Sequence, residues 1–128
     1  MCQDTGLPAL FVKMGFTVPG FEEAVARGVR AATEEVPLRK NVVHPLTRSN
    51  TGDNTGKGMP YISYSCEASN HIDITVMPKG GGSENMSALA MLNPSSGIDG
   101  VKRFVLDAVV NAGGKPCPPV IVGVGIGG

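Results

Sequence analysis

Residues 61–83 read YISYSCEASNHIDITVMPKGGGS, and this stretch decides what kind of fold the chain can adopt. Ile62, Tyr64 and Cys66 alternate with Ser63 and Ser65, and Ile72, Ile74 and Val76 alternate with Asp73 and Thr75. Alternation of apolar and polar side chains is the period of a half-buried strand. Two such runs joined by a short polar connection around Asn70 predict an antiparallel hairpin. The second run leads directly into Lys79 and three consecutive glycines, Gly80, Gly81 and Gly82.

Upstream, residues 8–15 carry Leu10, Val12 and Met14 in alternation with Phe11 and Lys13, a further strand with two fairly apolar faces. Phe21, Ala24, Val25, Gly28, Val29 and Ala32 then recur at helical spacing. Glu22 and Glu23 suit the positive end of that helix, and Pro37 ends it. Residues 38–58, LRKNVVHPLTRSNTGDNTGKG, hold no sustained period. Loops longer than about 12–15 residues are usually functional or disordered. Downstream, Val101, Phe104, Val105, Ala108, Val109 and Ala112 mark a second amphipathic helix stopped by Gly113 and Gly114, and PVIVGVGI predicts a buried strand. The expected class is α/β in the broad sense (mixed α+β): a mixed sheet with an antiparallel hairpin, flanking helices and glycine-rich loops.

Composition narrows the functions. Eleven basic residues balance 11 acidic ones, so there is no electrostatic footprint for nucleic acid or an anionic membrane. No apolar run approaches the length that spans a bilayer, and a cytoplasmic location is expected. Glycine is in excess, 18 of 128 residues against an average of about 7%. The glycines cluster in TGDNTGKG, KGGG, AGG and GVGIGG, as expected where backbone turns sharply or approaches a ligand closely.

Three cysteines, Cys2, Cys66 and Cys117, are too few and too far apart for a disulfide framework. Cys66 shares a strand face with Ile62 and Tyr64 and reads as a small core hydrophobe. Cys2 in CQDTG and Cys117 in GGKPCPP stand in loop settings, where either ordinary surface thiols or metal ligation fit. KGGG can form a concave nest of backbone N–H groups for a carboxylate or phosphate, although a flexible turn is the simpler alternative. GVGIGG formally satisfies the dinucleotide pattern G-x-G-x-x-G, but the helix and acidic residue that would support it lie outside the sequence. NTGDNTG lacks the glutamate of a calcium loop, because the twelfth position from Asn50 is Tyr61. His44 has no second ligand at metal spacing, and His71 reads as a solvated turn residue. Arg39, just past the first helix, could grip a carboxylate bidentately or be a plain surface arginine.

Taken in order, CQDTG, PLRKN, NTGDNTG, KGGGSEN, KPCPP and GVGIGG resemble the iron–sulfur hydro-lyases, the class I fumarases and L-tartrate dehydratases, across essentially all 128 positions. The resemblance is to their α subunit or the corresponding N-terminal portion of the one-chain form. It implies a [4Fe–4S] cluster held by three cysteines, of which Cys2 and Cys117 match two and the third lies outside this sequence. It implies Asp4 as a substrate-touching acid, with Gln3, Arg39 and the amides of Gly80, Gly81 and Gly82 holding the carboxylates of a small dicarboxylate. Fumarate is expected before tartrate. The resemblance further implies that residues 1–128 are the central part of an α-type domain, truncated at both ends. A β subunit or C-terminal domain would complete the site within an oligomer. The competing reading is a non-catalytic, glycine-rich module for anions or nucleotides.

Overall fold

The computed structural model describes residues 4–127, which divide into two units, Met1–Gly81 and Gly82–Gly128. Cys2 and Gln3 lie outside the described residues.

The first unit is built on a three-stranded mixed sheet. Strand β1 (Leu7–Met14) is central, parallel to β2 (Tyr61–Cys66) on one side and antiparallel to β3 (Asp73–Lys79) on the other. Parallel neighbours need a long crossover, and helix α1 (Phe21–Glu35) with the 38–58 loop supplies it between β1 and β2. The register sets Leu10 opposite Ile62 and Val76, and Val12 opposite Tyr64 and Ile74. Those six side chains therefore share one face of the sheet. Val12 is only 1% exposed and Leu10 is buried. Helix α1 contributes to this face through Phe21, whose ring stands 6.3 Å from that of Tyr64. Towards β3 an apolar cleft of about 400 Å³ remains, lined among others by Leu10, Val25, Val29, Ala32 and Val76.

The expected hairpin does not form: β2 and β3 follow one another in sequence but sit on opposite sides of β1. Their connection runs across the end of the central strand, where the Glu67 N–H donates to the Met14 carbonyl at 3.1 Å. Position 15 makes that crossing feasible. A Cβ there would lie 2.5 Å from the Glu67 carbonyl oxygen and 2.6 Å from that of Ser69, so only glycine lets the connection pass so close.

The second unit contains a short helix α2 that begins at the boundary (Gly81–Glu84), a 3₁₀ turn (Pro94–Ser96) and helix α3 (Gly97–Ala112). Gly113, at a φ of 55° that favours glycine, ends α3 as its sequence predicts. The PVIVGVGI run forms no strand. Its residues pair with no neighbour among the described residues, and Ile121 is 94% exposed. β-branched residues favour extended backbone, but a strand exists only where a second strand accepts its hydrogen bonds. Among the described residues no helix is long and apolar enough to cross a membrane.

Candidate functional site

At the centre of the 38–58 loop lies one fully buried polar side chain. Asn54, 1% exposed, accepts from the Asn41 N–H at 2.8 Å and, at 3.4 Å, from that of Val42. Its Nδ2 donates to the Arg39 carbonyl at 3.0 Å and to Thr33 Oγ1 at 3.2 Å. One carboxamide thus pins residues 39–42 in place of a strand partner and ties them to α1. Asn54 has a left-handed φ of 59°, a conformation that asparagine tolerates better than most residues. Thr33 completes the anchor by donating to the Val29 carbonyl at 2.8 Å and to that of Asp53 at 3.3 Å. Asp53 accepts from the Thr55 hydroxyl at 2.8 Å and the Thr55 N–H at 3.0 Å, and these bonds hold its carboxyl below the ordinary carboxylate range.

With residues 39–42 fixed, their side chains turn to the segment before β1. Arg39 Nη1 pairs with Asp4 Oδ1 at 3.0 Å, the arginine 59% exposed and the aspartate 18%. Asn41 Nδ2 donates to the Asp4 backbone carbonyl at 2.9 Å and to Oδ1 at 3.3 Å. The glycine two positions after Asp4 makes this approach feasible. A Cβ on Gly6 would overlap the Arg39 carbonyl oxygen and stand 2.8 Å from Asn54 Nδ2. The glycine run passes close to Asn41, since a Cβ on Gly81 would lie 3.6 Å from Asn41 Nδ2. Within the first unit, then, four separate stretches of sequence converge: DTG at 4–6, RKN at 39–41, DNT at 53–55 and Gly81.

Of the residues singled out from sequence, Asp4 and Arg39 are brought together. Gly80 follows β3 directly, while Gly81 and Gly82 open the helical turn of α2. Cys117 is exposed and belongs to the second unit. Cys66 departs from the core reading: it is exposed, on a wide cavity of about 740 Å³ that Met14, Phe16, Phe21 and Tyr64 also line. Its strand face is the buried one only where a neighbouring element covers it, and at the end of β2 α1 leaves it open. His71 is an exposed turn residue, as expected, within 3.3 Å of Asp73. His44 uses Nδ1 to accept the Leu46 and Thr47 N–H groups, a turn-closing role. Asn41, Asn54 and Thr33 were not singled out by sequence. The available signals were a threonine on the apolar stripe of α1 and an asparagine within the glycine-rich TGDNTG.

Among the described residues, no three His, Cys, Asp or Glu side chains stand close enough to hold a metal ion. The donor chemistry is compatible with a cluster only in part. Cys117 presents an exposed sulfur between prolines, and the described residues supply no full ligand set around it.

A half-buried carboxylate held by an arginine and an amide, with glycine backbone alongside, stands on a mixed α/β scaffold. The chain belongs to the fumarate hydratase (Fumerase) family, whose family model matches residues 1–128. It is 55% identical, over its whole length, to a Methanocaldococcus jannaschii protein provisionally named L(+)-tartrate dehydratase subunit alpha, of which it covers 47%. It is 38% identical to the L(+)-tartrate dehydratase subunit alpha of Escherichia coli K12, with 98% of this chain and 43% of that protein aligned. A Geobacillus stearothermophilus protein, provisionally named class I fumarate hydratase, is 34% identical over the whole chain and 27% of its own length. The chain thus spans less than half the length of these relatives.

Proposed function

We propose that residues 1–128 carry part of the active site of a hydro-lyase that adds water to, or removes it from, a small dicarboxylate. The observation that supports this reading most is the convergence of Asp4, Arg39, Asn41 and Gly81 from three distant segments. Names of the relatives reported above weigh towards a hydroxy-dicarboxylate of the tartrate type as well as fumarate and malate.

In dehydration a C–O and a vicinal C–H bond break, a C=C bond forms and water leaves. Asp4 would give a proton to the departing hydroxyl. Arg39, paired with Asp4 through Nη1 alone and more than half exposed, keeps further guanidinium donors for a substrate carboxylate. Gln3 and the amides of Gly80, Gly81 and Gly82 are assigned to the same carboxylates by resemblance. Cys2 and Cys117 would hold a [4Fe–4S] group together with a third thiolate from outside these residues; when bound, it supplies a Lewis-acidic iron. The base that removes the carbon-bound proton is assigned to a partner subunit or further domain. Such an assembly is oligomeric and, with thiols used as ligands, suited to the cytoplasm.

Anaerobic iron and sulfide reconstitution tests the reading in the complete enzyme, meaning this sequence within its longer polypeptide and with its partner subunit. The expected result is a broad visible iron–sulfur absorption and turnover of fumarate or tartrate. Both should disappear in Cys117→Ser and persist in Cys66→Ser. Nucleotide binding with no hydro-lyase turnover would favour the anion-module reading, and full turnover by residues 1–128 alone would refute the division of the site.

A further inference from the structure

Asn41 holds no substrate atom in the proposed reaction, yet it contacts Asp4 at both its main chain and its carboxylate. We infer that Asn41 is a positioning residue for Asp4, fixing the direction of the carboxylate from which the proton is delivered; the inference rests on the hydro-lyase reading above.

Three observations carry it. First, Asn41 Nδ2 reaches both the backbone carbonyl of Asp4, at 2.9 Å, and its side-chain Oδ1, at 3.3 Å. A loop staple needs only the first contact. The second adds a restraint on rotation of the carboxyl group relative to its own main chain. Secondly, the donor arrives from a rigid base. The Asn41 N–H is held at 2.8 Å by Asn54, a side chain that is itself fully buried. Arg39 makes a shorter bond to the same oxygen, but it is long and more than half exposed. Exposed ion pairs of this kind position their partners weakly, because a flexible side chain and water compete for the same geometry. Thirdly, Gly81 lies beside the Asn41 carboxamide, close enough that a Cβ added there would stand 3.6 Å from Nδ2. The amide therefore lies near both the acid and the glycine run.

Misplacing a reacting group by about 1 Å can cost on the order of 100-fold in rate. In the complete enzyme, Asn41→Asp keeps the shape but loses both donated hydrogen bonds, Asn41→Ala removes the group, and Asn41→Gln keeps a donor on a longer arm. Steady-state dehydration of tartrate or malate is expected to show kcat lower by roughly 10- to 100-fold in the Asp and Ala variants, with KM within about threefold of wild type. The Gln variant should recover part of kcat. Because Asn41 acts through Asp4, Asn41→Ala should have no further effect on kcat in an Asp4→Ala background, which a purely structural role would not produce. Wild-type kcat in Asn41→Asp, a loss confined to KM, or full additivity with Asp4→Ala would each overturn the inference. Absence of turnover in the wild-type assembly would instead refute the hydro-lyase reading, and the inference with it.

Discussion

Replacing Asn54 with alanine tests the structural basis of the site most directly. The substitution strips the partner from the Asn41 N–H and from the Arg39 carbonyl, which Asn54 holds at 2.8 and 3.0 Å. A buried backbone group left without its bond costs about 1–3 kcal/mol. The longer bonds to Val42 and Thr33 add less. The left-handed φ of 59° costs alanine a further ~1 kcal/mol. The expected destabilisation is about 3–7 kcal/mol, a large share of the roughly 5–15 kcal/mol that holds a domain folded. Asn54→Gly tolerates the backbone angle and should recover about 1 kcal/mol of the loss. Urea unfolding followed by far-ultraviolet circular dichroism reads the global effect, and hydrogen exchange at the Asn41 and Val42 amides reads the local one. Both amides should lose protection even where the sheet remains intact. An unchanged midpoint with Asn41 and Val42 still protected in Asn54→Ala would refute the claim that this side chain organises residues 39–42.

Two further outcomes follow from the same structure. The Asp53 carboxyl is depressed by the Thr55 hydroxyl and N–H, so its contribution to stability is present above the ordinary carboxylate value and lost as pH falls through the lower folded value. Unfolding measured below about pH 4 should therefore show wild type losing a component that Asp53→Asn never had; identical pH dependence in the two would contradict the assignment. Cys66, exposed beside Met14, Phe16 and Tyr64, should be alkylated by N-ethylmaleimide in the native 128-residue chain. Cys66→Ser should change stability by no more than about 0.5 kcal/mol. Protection of this thiol until denaturant is added, read by mass spectrometry, would restore the core reading.

Much of the local structure was legible from residue order. The alternation in residues 8–15, the 3.6-residue stripe from Phe21 to Ala32 and the glycines after Ala112 mark β1, α1 and the end of α3, because each signal is contained within a few turns of backbone. Asp4 and Arg39 were likewise legible as candidates, through the motifs that carry them. Their pairing was not, nor was Asn54, since an asparagine in a glycine-rich loop looks alike whether it faces water or anchors four backbone and side-chain groups.

Chain order and side-chain type determined which segments could be strands, which helices, and which loops were rich enough in glycine to bend closely. Only the tertiary structure decided that β3 crosses to the far side of β1, that Cys66 is open to solvent, that residues 120–126 pair with no strand among the described residues, and that Arg39 and Asn41 meet Asp4. The reason is the range of the forces involved. Periodicity records which face of an element prefers burial, whereas strand pairing, and whatever lies over that face, depends on groups brought together from distant parts of the chain. A missing Cβ at Gly15 or Gly6 shows its purpose only when the neighbouring backbone is in place.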